Sequence, residues 1–121
     1  MPTYVDAYLL PIPSKNLSAY QKMARTAARV WKRHGALTYR EAVLEDAGGS
    51  FCATFPQVVK PKKGETIVVA FVTYKSRAHR DRVNKKVMED PELLESCGDP
   101  TKMPFDVARM ACSGFSTIAE S

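Results

Sequence analysis

Residues 66–74 read TIVVAFVTY, a run in which apolar side chains alternate between two directions. The first set is Ile67, Val69 and Phe71, and the second set is Val68, Ala70, Val72 and Tyr74. This alternation of β-branched and aromatic residues predicts a β-strand whose two faces are both apolar. Such a strand belongs in the middle of a sheet, with a cover on each side.

The residues before this strand predict an earlier strand and a helix. Residues 3–12 are rich in tyrosine and leucine, and we expect Pro11 and Pro13 to end this first strand because proline fixes φ and lacks an N–H. Either Ser14 or Asn16 can cap the helix that follows. Its apolar side chains recur at three- and four-residue spacing along one face: Leu17, Tyr20, Met23, Ala24, Ala27, Val30, Trp31 and His34.

A glycine and a second alternating segment follow the helix. Gly35 suits the left-handed conformation in which many helices end. Residues 37–46 predict a second strand with one more polar face. One face of that strand carries Leu37, Tyr39, Glu41 and Val43. Prolines, lysines and a glycine in residues 51–65 predict a long connection, with a short extended piece at Val58 and Val59.

The C-terminal part predicts a second helix and a fourth strand. Ser76 is placed to cap a helix that runs to about Glu89, and Pro91 begins a further turn or short helix. Residues 105–118 predict the last strand, with a bulge or bend at Gly114. The order β-α-β-β-α-β predicts an α+β fold of ferredoxin-like topology, with a four-stranded antiparallel sheet and both helices on one side.

Composition limits the class of protein. A chain of 121 residues with 45% apolar and 26% charged residues can bury enough surface to fold as one domain over residues 1–121. It has neither a signal peptide nor an apolar run of roughly 20 residues, so we expect a cytoplasmic protein. Cys52, Cys97 and Cys112 have no metal-ligand spacing and are expected to be free, buried thiols. The sequence predicts no metal and no cofactor.

The apolar pattern also predicts a homodimer. Two helices cover only one face of a sheet with this topology, yet the first and third strands are apolar on both faces. Exposing the second face would forfeit roughly 1.5 to 3 kcal/mol for each large apolar side chain. A second copy that pairs the two bare faces is the simplest cover, because one self-complementary surface closes the assembly. A ligand or another protein is the alternative cover.

Charge suggests a different partner. The net charge is +5, and the first helix holds most of a basic cluster without an acid: Lys15, Lys22, Arg25, Arg29, Lys32 and Arg33. Such a cluster is usually a solvated face, but it can attract an acidic protein or RNA. Residues 70–74 also match the end of an RNA-recognition-motif signature. Because the first strand offers no matching signature around Tyr8, nucleic-acid binding is the weaker interpretation.

Candidate site residues lie on the helices and the first strand. Tyr8 and Trp31 can line a pocket between helix and sheet, as can Tyr4 and Met110. His34 and His79 can each transfer a proton, because imidazole titrates near neutrality. His79 is the stronger candidate, since Arg77 and Arg80 flank it at a helix N-terminus and can contact an anion. For each residue, a purely structural role is the alternative.

With these elements placed, the chain resembles the YbaA-like family of small bacterial proteins. The resemblance rests on ordered segments across nearly the whole chain. They are Tyr4-Val5-Asp6, Leu10-Pro11-Ile12-Pro13, residues 30–37, Lys63-Gly64-Glu65-Thr66, residues 74–81, Val87-Met88, Asp90-Pro91, residues 103–106, Arg109-Met110 and Gly114-Phe115. The resemblance implies the dimeric α/β barrel superfamily, in which two sheets close into a barrel across the subunit interface. It implies no established activity.

Two hypotheses about function follow. The first is a homodimeric small-molecule-binding protein with one pocket per subunit; the superfamily that the resemblance implies includes cofactor-free monooxygenases and isomerases, so an enzyme like one of these is one form of this hypothesis. Its catalytic residue is His79, and its ligand-binding residues are Tyr8, Trp31, His34, Arg77 and Arg80. The second hypothesis is a non-enzymatic interaction protein whose basic first helix binds an acidic partner or RNA. Neither hypothesis assigns a role to residues 47–65 or 92–104.

Overall fold

The computed structural model describes residues 2–121 and is built on a four-stranded antiparallel sheet. Its strands are β1 (Tyr4–Pro13), β2 (Thr38–Val43), β3 (Glu65–Tyr74) and β4 (Ala111–Ser116), and its helices are α1 (Leu17–Arg33), α2 (Phe55–Val59), α3 (Arg77–Met88) and α4 (Pro91–Cys97). The strand order is β2-β3-β1-β4, which puts the two ten-residue strands in the middle. The predicted α+β, ferredoxin-like fold is confirmed.

Two apolar clusters hold the helices to one face of the sheet. One joins α1, α3 and α4 to the end of β3, through Ala27, Val30, Ala36, Val72, Tyr74, Val83, Val87 and Leu93. The other joins α1 to the middle of the sheet through Leu10, Ile12, Tyr20, Val68 and Phe105. The periodicity of α1 predicted this buried face, and Gly35 ends the segment with φ of 111° as expected.

The opposite face of the sheet carries the other set of side chains. The strand register aligns them in rows, and we call them the open face: Val5, Ala7, Leu9, Thr38, Arg40, Ala42, Val69, Phe71, Thr73, Ala111, Ser113 and Phe115. Val69 is 38% exposed and Phe115 is 55% exposed. The two apolar clusters that contain the helices include no residue of this face.

The first strand ends at Pro13, but it includes both prolines, whereas the sequence-based prediction placed them as the stop after the strand. β1 pairs with β3 through Pro13, whereas β4 pairs with β1 only from Tyr4 to Leu9. The N–H of Ser14 donates to the Gly64 carbonyl across the β3 side at 2.8 Å. The backbone N–H groups of successive residues in a strand point to opposite edges. The nitrogens of Pro11 and Pro13 therefore point to the edge next to β4, where β4 no longer pairs and no N–H is required.

The long connection contains a helix that the sequence analysis did not predict. The extended piece expected at Val58 and Val59 is wrong, because these residues belong to α2. Thr54 caps this helix: its hydroxyl accepts the N–H of Gln57 at 3.2 Å, and the Gln57 side chain accepts the N–H of Thr54 at 2.9 Å. This reciprocal capping box outweighs the β-branched character of the two valines.

The fourth strand is shorter than predicted and has no bulge. Residues 107–109 form a 3₁₀ turn, and β4 pairs with β1 in a continuous register. Gly114 lies opposite Asp6 in this register, and a Cβ at Gly114 would collide with the Tyr4 ring. The glycine therefore makes room for a tyrosine and does not bend the strand.

Smaller expectations are corrected as well. Asn16 lies at the N-cap of α1, but its side chain donates to the Pro104 carbonyl at 2.9 Å and does not cap the helix. Ser76 caps α3 as predicted, accepting the His79 N–H at 3.1 Å. All three cysteines are free, but the prediction of burial is wrong for Cys52 and Cys112, which are exposed. Within residues 2–121, no helix has the length and apolarity needed to cross a membrane.

Candidate functional site

Polar side chains cross the helix-covered face of the sheet as a band. The strand register aligns Glu41, Ala70, Tyr8 and Cys112 in one row, and Tyr39, Val72, Asp6 and Gly114 in the next. Ala70, between Glu41 and Tyr8 in this row, is small and buried. Because the band lies under α1 and α3, its polar side chains are surrounded by apolar side chains of the helices, as in many ligand-binding sites.

One end of the band is a hydrogen-bonded group that we call the Asp6 network, formed by Asp6, Trp31, Tyr74, Arg80 and Asn84. Asp6 is 4% exposed; its two carboxylate oxygens accept from Arg80 Nη1 at 3.1 Å and from Asn84 Nδ2 at 3.3 Å. Asn84 Oδ1 in turn accepts from the Tyr74 hydroxyl at 3.0 Å and from Trp31 Nε1 at 3.2 Å. The network thus joins β1, β3, α1 and α3, while Arg80 Nε is buried without a hydrogen-bond partner among residues 2–121.

Two tyrosines border the Asp6 network. Burial raises the pKa of Tyr8 to about 12, and the negative charge of Asp6 adds to the shift, so the phenol is protonated at neutral pH. The guanidinium of Arg80 lies over the Tyr4 ring, 4.8 Å from its centroid, which is a cation–π contact. Arg80 is therefore held by Asp6 from one side and by Tyr4 from the other.

The other end of the band surrounds the carboxylate of Glu41. The Tyr20 hydroxyl donates to Oε1, and the Tyr39 hydroxyl donates to Oε2 at 2.5 Å. Burial raises the pKa of both phenols, and the contact with Glu41 raises each pKa further, so both hydroxyls keep their protons. Glu41 thus accepts one neutral donor on each oxygen.

Glu41 lies in a hollow between α1 and the edge of the sheet formed by β2. The hollow has a volume of about 310 Å³, and we call it the Glu41 hollow. It is lined by Leu17, Tyr20, Gln21, Ala24, Arg25, Ala28, Tyr39, Glu41, Ala42, Val43 and Val68. Most of this lining is apolar, and Glu41 with its two tyrosines supplies the polar end.

Three of the sequence-predicted site residues meet at the band. Trp31 and Arg80 belong to the Asp6 network, and Tyr8 lies in the row next to Asp6. His79 adjoins the network because its ring packs edge-on against Tyr74, with 6.0 Å between ring centroids.

The ring of His79 is fixed in one orientation. The Lys75 N–H donates to Nδ1 at 3.0 Å, so the neutral ring carries its proton on Nε2. Burial lowers the pKa of His79, and the positive charges of Lys75 and Arg82 lower it further. The imidazole is therefore neutral at physiological pH, as a base must be.

The other two predicted residues lie away from the band. His34, just after α1, places Nε2 2.7 Å from the Asp90 carboxylate, which lies at the start of α4. Arg77 is exposed at the start of α3 and lines a separate hollow of about 370 Å³ with Tyr4 and Gly114. The structure therefore does not bring His34 and Arg77 together with Tyr8 and Trp31.

Sequence reasoning missed the two carboxylates of the band and the amide that contacts one of them. Asp6 and Asn84 are not among the predicted site residues, and Glu41 was recognised only as one residue of an alternating strand. The alternation of β2 did hold a signal, since it placed a carboxylate on the same face as Tyr39 and Val43. An acid among apolar neighbours is a candidate for a functional group, because burial of a charge must be compensated.

The basic surface of α1 is smaller than its sequence predicts. Arg29 and Arg33 each pair with Glu92 at 2.7 Å, and Arg33 also contacts Asp90. Lys32 Nζ donates to the Leu37 carbonyl at 2.8 Å. The C-terminal half of the basic cluster therefore contacts α4 and the loop between α1 and β2, and it is not free to bind an acidic partner.

Comparisons with known proteins agree with this architecture. The family described as "Protein of unknown function (DUF1428)" matches residues 3–107. The "Uncharacterized protein YbaA" of Escherichia coli K12 and that of Shigella flexneri are each 35% identical over 117 residues, which covers 97% of both chains. A crystal structure of a dimeric ferredoxin-like protein from an uncultured marine organism is 14% identical, with a TM-score of 0.58 over the full length of both chains. The last comparison supports the fold, and the first two show that the chain belongs to the DUF1428 family.

Proposed function

We propose that the protein is a homodimer that binds a small organic molecule between the helices and the sheet of each subunit. The observation that carries the proposal is the Glu41 hollow, in which a carboxylate with two tyrosine hydroxyls lies at one end of a lining that is mostly apolar. Each subunit is taken to be one domain, and the site of action is the cytoplasm.

The open face supports the dimer. It presents Leu9, Val69, Phe71 and Phe115 on neighbouring strands, and each such side chain gains roughly 1.5 to 3 kcal/mol when it is buried. A second copy placed face to face would cover this surface and close two sheets into a barrel. The marine relative with the same fold is described as dimeric.

The size and lining of the Glu41 hollow support the binding of a small molecule. Ligand pockets are mostly apolar clefts of roughly 300 to 1,000 Å³ with a few well-placed polar groups. The hollow lies at the lower end of that range, with apolar side chains from α1 on one wall and β2 on the other. A ligand of about the size of one ring with a short side chain matches this space.

Proton transfer is the chemistry that the polar band supports best. An isomerase-like reaction moves a proton within its substrate, and a cofactor-free monooxygenase-like reaction begins by removing one. The band offers two bases, Glu41 and the neutral His79, and it offers the protonated phenol of Tyr8 as a donor. Tyr8, Trp31 and Arg80 do not line the Glu41 hollow, so we assign them to the polar band beside the ligand and not to direct contact with it.

A pair of matched substitutions on α1 tests the binding proposal. Ala28 lines the Glu41 hollow, whereas Ala19 is exposed on the same helix, so Ala28→Leu fills the hollow and Ala19→Leu does not. Fragment screening by ligand-observed NMR should give hits for the wild-type protein and for Ala19→Leu that disappear for Ala28→Leu. Hits that persist in Ala28→Leu would place binding elsewhere and contradict the proposal.

A further inference from the structure

We propose that the Glu41 hollow binds a primary amine in its ammonium form, with an apolar body of about one ring. This inference rests on the proposed function, because it names the ligand class of the same hollow. It is carried by the lack of a cationic partner for Glu41 within residues 2–121, in contrast to the other acidic residues there that are not exposed.

Glu41 differs from the other acids that are not exposed. The acids that are not exposed, Glu41 included, are Asp6, Glu41, Glu65, Asp90 and Glu92. Four of them form ion pairs: Asp6 with Arg80, Glu65 with Arg109, Asp90 with Arg33, and Glu92 with Arg29. Among the ion pairs of residues 2–121, none includes Glu41. A partly buried carboxylate without a cation is costly unless a ligand supplies the positive charge.

The geometry of Glu41 leaves room for that cation. A carboxylate offers about four acceptor sites on its two oxygens, and Tyr20 and Tyr39 use one site on each oxygen. The two phenols are neutral donors, so they orient the carboxylate without cancelling its charge. An ammonium group carries three donors and can engage the sites that remain.

The rest of the lining suits an apolar body. Leu17, Ala24 and Ala28 face the hollow from α1, and Val43 and Val68 face it from the sheet. The other charged lining residue, Arg25, is exposed at the rim, where water screens its charge. A cation at Glu41 also gains more than a neutral donor, because it adds the attraction between opposite charges to the hydrogen bond.

Three probes that share a phenyl ring separate the alternatives. They are 2-phenylethylamine, 2-phenylethanol and 3-phenylpropionate, which present an ammonium, a hydroxyl and a carboxylate. Titration of the ¹⁵N-labelled protein should give the tightest binding for the amine, with amide shifts at Gln21, Ala24 and Ala42. The alcohol should bind at least about tenfold more weakly, since it lacks the Coulombic attraction between an ammonium group and the carboxylate.

Glu41→Gln should remove the preference for the amine, and Glu45→Gln is the matched control because Glu45 is exposed just beyond β2. Equal or tighter binding of 3-phenylpropionate, an unchanged ranking in Glu41→Gln, or no amine binding at millimolar concentration would each overturn the inference. The wild-type ranking decides the matter even if Glu41→Gln does not fold. Binding of the alcohol or the acid that Ala28→Leu abolishes would leave the proposed function standing while the amine assignment fails.

Discussion

Asp6 Oδ1 accepts a hydrogen bond from Arg80 Nη1 at 3.1 Å, and this ion pair joins β1 to α3 on the helix-covered face of the sheet. The carboxylate is 4% exposed. A buried pair of this kind is a weak source of stability as a unit, but the loss of one partner leaves the other charge without compensation.

Asp6→Ala should therefore destabilise the protein strongly. We expect the free energy of unfolding to fall by about 3 kcal/mol, since Arg80 and Asn84 both lose an acceptor. Urea denaturation measures the change, and Asp46→Ala, at an exposed acid, is the control. A loss no larger than that of the control would show that Arg80 finds another partner.

A charge on the open face should separate the proposed dimer. Val69→Lys places an ammonium in the middle of the apolar rows of β3, where a second copy would bury it at considerable cost. Leu94→Lys is the matched control, because Leu94 is an exposed apolar residue on α4. Sedimentation equilibrium at micromolar concentration should give monomers for Val69→Lys and dimers for the control. A dimeric Val69→Lys protein would locate the interface on another surface.

The contact between Gly114 and Tyr4 predicts a coupled pair of substitutions. Gly114→Ala should destabilise the protein by about 1 to 3 kcal/mol, because the added Cβ overlaps the tyrosine ring. In the Tyr4→Ala background the same change should cost much less. Thermal unfolding of the four proteins of this double-mutant cycle gives the coupling, and additive effects would contradict the contact.

The contact between His34 and Asp90 predicts a pH dependence at the acidic end. The hydrogen bond from His34 holds the pKa of Asp90 below its ordinary value, with the Glu92 N–H and Arg33 adding to the effect. Asp90 binds protons less readily in the folded state, so its contribution to stability is present above its ordinary pKa and is lost as the pH falls through the folded value.

Asp90→Asn should flatten this part of the pH profile. Unfolding free energies measured from neutral pH down to strong acid would show a shallower decline than in the wild-type protein. Glu89→Gln, at the exposed neighbour, should leave the profile unchanged. Identical profiles for Asp90→Asn and the wild-type protein would mean that other carboxylates control acid unfolding.

Local patterns were sufficient for the fold. The alternation of residues 66–74 and the spacing of α1 specify which side chains are buried, and the structure follows both. The missed helix α2 was also encoded locally, since Thr54 and Gln57 have the spacing of a capping box, but Pro56 and Pro61 favoured interpretation as an irregular loop.

The candidate site was less accessible to sequence reasoning, because its members are joined by the fold. Asp6 and Arg80 are far apart in the chain, and no local periodicity connects them. Tyr8, Trp31 and Arg80 could be proposed one at a time as aromatic or basic residues. The lack of a cation at Glu41 emerged only once the other acids were seen to be paired.

The two prolines of β1 lie in the part of this strand that β4 does not pair with. Beyond Leu9 no strand within residues 2–121 pairs with the outer side of this central strand, and an unpaired strand edge is a template onto which a foreign chain can add by backbone pairing. Pro11 and Pro13 lack the N–H groups that a foreign strand would need for this pairing. The two prolines thereby disfavour aggregation along the part of β1 that β4 leaves unpaired.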